Sequence, residues 1–146
     1  MGLTLTIMNQ MRARLTTLTS TGAPVKAFVG DPPSNPGLPF AFVWGPPTLT
    51  KSEAMSKCGG GDVDVRLHVQ VVAATTANVL DLADQVTALL DGETPTADGW
   101  RCFPLKHVGV TDVRSDNSTV GAPANRAPRY CTVTFRAQAT TETKEA

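Results

Sequence analysis

The chain has 146 residues, 41% of them hydrophobic but only 5% aromatic, with 13 Lys and Arg balanced by 13 Asp and Glu. That length suits one domain over residues 1–146 with a single, mostly aliphatic core. Zero net charge excludes a global pull toward nucleic acid or an acidic membrane, and no apolar run approaches the roughly 20 residues of a membrane-spanning helix.

In chain order, Leu3, Ile7, Met11, Leu15 and Leu18 recur at helical spacing with Met8 on the flank, which predicts an amphipathic helix. Thr16, Thr17, Thr19 and Ser20 weaken its last turn, and Gly22 with Pro24 stops it. Residues 25–29 read as a short strand. Residues 31–39 include Pro32, Pro33, Pro36 and Pro39, too many for a regular hydrogen-bond ladder. Residues 40–44 form a second strand, closed by Gly45-Pro46-Pro47. Residues 48–61 read as a protruding hairpin or loop, with Cys58-Gly59-Gly60-Gly61 as a flexible turn.

Residues 62–72 alternate apolar and polar almost without a break. Val63, Val65, Leu67, Val69 and Val71 share one face, and Asp64, Arg66, His68 and Gln70 the other. The strand is expected to lie on a core with one face and to show a polar face to something else. Residues 78–90 then switch to helical spacing. Thr75 or Thr76 can cap this helix, Asp81 and Asp84 are expected near its positive end, and Val79, Leu82, Ala83, Val86, Leu89 and Leu90 form its buried stripe. Gly92 ends it. Residues 99–103 and 105–113 read as strands around Pro104, and residues 115–128 as a long polar loop. Residues 130–139 form the last strand, with Cys131, Val133, Phe135 and Ala137 facing one way, before a frayed tail at 140–146. The order predicts an α+β fold: a mainly antiparallel sheet with two helices packed on one face.

Little in the chain points to catalysis. The three cysteines, Cys58, Cys102 and Cys131, are odd in number and lack C-x-x-C spacing, which argues against a disulfide framework and for a reducing compartment. The N-terminus has no basic region followed by an apolar one, so no signal peptide is expected. His68 and His107 belong to no metal-binding or nucleophile motif, although strand pairing could bring them together across a sheet. Gly59-Gly60-Gly61 is followed by a strand where a phosphate loop needs a helix. No catalytic residue, cofactor or metal is therefore expected. A buried pocket with converging polar groups would instead favour a small-molecule-binding domain or an enzyme. Long loops on a small scaffold suit an interaction protein better. The candidate assembly contacts are Lys51, Glu53 and Lys57 in the first loop, Asp64 and Arg66 on the long strand, and Arg114, Arg126 and Arg129 around the second loop.

This pattern resembles the tail terminator and tail-completion (tail-to-head joining) proteins of long-tailed bacteriophages. The resemblance is carried by four features: the opening helix, the Phe40-Ala-Phe-Val-Trp44 strand after a proline-rich turn, the long strand running into the helix that ends at Gly92, and the closing strand from Arg126 to Phe135. It implies a virion structural protein that forms a ring, typically a hexamer, at the head-proximal end of the tail. Such a ring ends tail-tube polymerisation and presents a surface to the head–tail connector. The implied partners are further copies of the chain, the tail tube protein and the connector protein, with DNA only as cargo passing through the lumen and no membrane. Assembly would take place in the host cytoplasm. The neighbouring connector proteins share this style, so a role there stays open.

Overall fold

The computed structural model describes residues 2–34, 36–46, 62–115 and 127–141. Helix α1 spans Leu3–Leu15 and buries Leu3, Ile7, Met11 and Leu15, the apolar spacing seen in the sequence. It stops one turn earlier than expected. The Thr16 and Thr17 hydroxyls donate to the carbonyls of Ala13 and Arg14, at 2.6 and 2.7 Å, and so satisfy acceptors that a further turn would have used. Leu18 still packs on the core. The chain then reverses through a hairpin of β1 (Thr19–Ser20) and β2 (Ala23–Pro24).

The main sheet contains β3 (Lys26–Val29), β4 (Phe40–Trp44), β5 (Val63–Ala73) and β9 (Arg129–Thr141), in that spatial order. On the far edge of β9 lie β6 (Trp100–Cys102), β7 (Lys106–Val110) and β8 (Arg114–Ser115), one after another. Every pairing in this sheet is antiparallel except β3 with β4. The parallel pair follows from the proline-rich crossover, which carries the chain back to the end of the sheet where β3 began. The β5–β9 ladder is the longest, running from Val63↔Ala139 to Ala73↔Arg129. Thr140 and Thr141, expected in a frayed tail, instead extend β9 and pair with Arg101 and Trp100.

Helix α2 spans Thr76–Leu90. The Thr75 hydroxyl caps it by accepting from the Asn78 amide at 3.2 Å. Asp81 and Asp84 do not sit at its positive end as expected: the first turn carries no acid, and the helix dipole acts mainly within that turn. At the other end the backbone turns through Gly92 at φ +84°, a conformation that favours glycine, and the Gly92 amide donates to the Leu105 carbonyl at 2.8 Å.

Both helices pack on one face of the sheet. Leu67, Val69 and Val71 of β5 and Cys131, Val133 and Phe135 of β9 meet Ile7, Met11, Leu15, Val79, Leu82 and Val86 in one fully buried cluster. Val65, expected with them, is only half-buried at the margin. Among the described residues no helix is long and apolar enough to cross a membrane.

Candidate functional site

The face of the sheet turned away from the helices is the molecule's most distinctive surface. Strand alternation sends Ala41 and Val43 of β4 into the core, fully buried, and sends Phe40, Phe42 and Trp44 to the open face, each half-buried. Phe28 joins them from β3 through its pairing with Phe42, and His68 joins from β5 through its pairing with Trp44. The rings form a continuous row. Centroids are 6.4 Å apart for Phe28–Phe40 in edge contact, 6.4 Å for Phe40–Phe42, 5.4 Å for Phe42–Trp44 and 5.1 Å for Trp44–His68, all within the range of favourable ring contacts. Of the five Phe, two Trp and one Tyr, only Phe135 and Trp100 are buried in the core. The open face is therefore not the polar surface that β5 alone suggested: its β3–β4 half is aromatic.

Its other half is polar and basic. Asp64 accepts both bonds of a bidentate pair from Arg136, with Nε 2.9 and 3.0 Å from the two carboxylate oxygens. The bonded guanidinium holds the Asp64 carboxyl below its ordinary range. Arg66 pairs directly with Arg136, and Arg136 with Lys106. Neither Arg66 nor Lys106 makes an ion pair among the described residues. Between the halves, His68 Nδ1 lies 2.9 Å from the Thr134 hydroxyl. Partial burial, and secondly the Arg66 charge, lower the His68 pKa, so the ring is neutral when the protein is folded at physiological pH.

The sequence-predicted contacts divide. Asp64 and Arg66 stand together on this face, and Arg114 joins it through its pairing with Tyr130. Arg129 pairs with Ala73 and Ser115 at the start of β9, and its Nη1 is buried with no partner among the described residues. Lys51, Glu53, Lys57 and Arg126 lie outside the described residues, as does most of both expected loops. His68 and His107 do not converge: His107 pairs with Phe135, a core-facing residue, so the two imidazoles lie on opposite faces. Burial pushes the Cys131 thiol up, as suits a small buried hydrophobe. A cleft between α1 and the 93–105 segment encloses about 20 Å³, on the scale of one water molecule.

Sequence reading missed the aromatic row, Arg136 and Lys106. A signal for the first was present in Phe40-Ala41-Phe42-Val43-Trp44, which puts large rings on one face and small aliphatics on the other. Both faces are apolar, so the strand does not disclose which one is core.

The family described as "Tail completion protein gp17" matches residues 9–137. The chain belongs to this family. It is a structural tail protein of the bacteriophage type and a virion component, not an enzyme. No curated protein sequence matches the chain. Among solved structures, a chain from the "Virion of native gene transfer agent (GTA) particle" is similar in fold, with 19% identity, 95% of each chain covered and a TM-score of 0.57.

Proposed function

We propose that this tail-completion chain forms a ring, six copies in the reading the family resemblance favours, at the head-proximal end of the tail. There it ends growth of the tail tube and offers a surface to the head–tail connector, while DNA passes through the lumen as cargo. Assembly takes place in the host cytoplasm. The observation that carries the reading is the open sheet face. A row of half-buried aromatic rings beside unpaired cations does nothing for a core already closed on the other side, whereas aromatics and arginine are the residues that anchor protein interfaces. Asp64, Arg66 and Arg114 stand on this face as assembly contacts, with Lys51, Glu53, Lys57, Arg126 and Arg129 as further proposed contacts beyond it.

Mass measurement across protein concentration, followed by electron microscopy of the largest species, tests the ring. A closed multi-copy ring is expected. A two-fold dimer through β5, stable at every concentration, would rule it out. Tails assembled without the chain should grow past normal length and fail to join heads; normal tails that join heads in its absence would reject the terminating role.

A further inference from the structure

Helix α2 and the open sheet face lie on opposite sides of the subunit and carry opposite charge, whereas α1 carries Arg12 and Arg14 and no acid. On the open face, Arg66, Arg136 and Lys106 occupy directly paired positions on β5, β9 and β7, a row about 10 Å long at ordinary strand spacing. Like charges placed opposite one another destabilise a sheet, and Asp64 is in direct ion-pair contact with Arg136 alone of the three, acting on Arg66 at longer range. Trp44 lies one strand beyond the row.

On the far side of the molecule, α2 contains no lysine or arginine. Its solvent side shows Leu80, 53% exposed, beside exposed Asp81 and Asp84, with exposed Asp91 just after the helix. A lone exposed leucine is ordinary; its spacing from the acids is what matters. Leu80 and Asp91 are about 16 Å apart along the helix axis, and Trp44 and Lys106, three strands apart and offset by two residues because Trp44 pairs with His68, are also separated by about 16 Å. A helix laid across the strands sets Leu80 on Trp44, Asp84 at Arg66 and Asp91 toward Lys106.

We infer that the α2 face of one copy, through Leu80, Asp81 and Asp84, docks across the open sheet face of the next at Trp44, Arg66 and Lys106. The inference rests on the ring reading and names its contact. The two patches differ, so the contact is heterologous: each added copy leaves both patch types open until a ring closes. Apolar contact at Trp44 supplies affinity, and the opposed charges supply register and partner choice.

The test compares the full chain with Arg66→Glu, Asp84→Arg and the double reversal by sedimentation velocity across concentration, with circular dichroism to confirm folding. Each single reversal should raise the concentration needed for assembly about tenfold or more, and the double reversal should restore it. Mixing the two single variants should also restore it, because every contact in the mixture is then a matched pair. If Asp84→Arg fails to fold, Leu80→Ser and Lys106→Glu give the same readout. Reversals that assemble like the parent overturn the inference and leave the ring reading standing. A parent chain monomeric at every concentration overturns both. Reversals that assemble normally but lose retention on heparin assign the cation row to phosphate and also overturn it.

Discussion

Leu67 and Arg66 are adjacent on β5 and face opposite ways, one fully buried and the other exposed. Leu67→Ala should cost about 2–5 kcal/mol in chemical denaturation, the range for a buried leucine whose cavity does not fully collapse. Arg66→Ala should stay within about 0.5 kcal/mol in the monomer; equal losses would reverse the assignment of the strand's faces. Gly45 is held by a different constraint. A Cβ there would lie 2.5 Å from Leu67 Cδ2, and Leu67 is locked in the core. Gly45→Ala should therefore lower stability by about 1–3 kcal/mol through overpacking, read as a lower denaturation midpoint with an unchanged slope. His68 gives a pH dependence. Its folded pKa is lowered, so the unfolded chain takes up a proton first, near pH 6.5. Stability should be full above that value and fall as pH drops through the unfolded and then the folded pKa. His68→Gln should flatten the change between about pH 7 and 5. The Asp64–Arg136 pair acts lower on the scale: its contribution is present above the ordinary carboxyl value of 3.8 and is lost in stronger acid.

At the scale of elements, α2 was the most legible part of the chain. Val79, Leu82, Ala83, Val86 and Leu90 are buried as their spacing requires, with Leu89 of the expected stripe only half-buried, because a single helix shows its core stripe without reference to any neighbour. Thr75→Ala should remove the cap and cost about 1 kcal/mol, measurable as a lower melting temperature. The faces of β5 were equally plain, since one is aliphatic and the other polar. β4 was readable as a strand but not in orientation: the small Ala41 and Val43 go inward because α1 crosses closely over that end of the sheet, and the rings go outward. The cation row was beyond reach. Arg66, Lys106 and Arg136 are far apart in sequence and meet only through two strand registers, one of them shifted by the bulge between His107 and Gly109. The eight contacts chosen from sequence leaned on loops and captured only Asp64, Arg66 and Arg114 of the open face.

For the whole molecule, the layered design separates the core from the surface proposed for assembly. The core lies between helices and sheet, and the aromatic row lies on the sheet's other side. Phe42→Ser together with Trp44→Ser should lower monomer stability less than Leu67→Ala alone, yet abolish higher-order species in sedimentation. Loss of folding equal to that of Leu67→Ala would place the row in the service of the fold instead. The proposed contact also predicts salt sensitivity. Raising ionic strength from about 0.1 to 1 M shortens the screening length from about 10 to 3 Å, and should raise the assembly concentration of the parent; an unchanged value would exclude the opposed charges from the contact.

β9 pairs with more strands of the main sheet than any other, with β5 along one edge and β6, β7 and β8 along the other. Its consequence is one of timing during synthesis. His68 on β5 waits for Thr134, 66 residues further along, which at about 5–20 residues per second is roughly 3–13 s of translation. Through that interval β5 is an eleven-residue strand with one edge unclaimed, the kind of surface that pairs with whatever strand it meets first. A newborn subunit is thus most exposed to wrong partners just before it acquires the strand that completes its sheet.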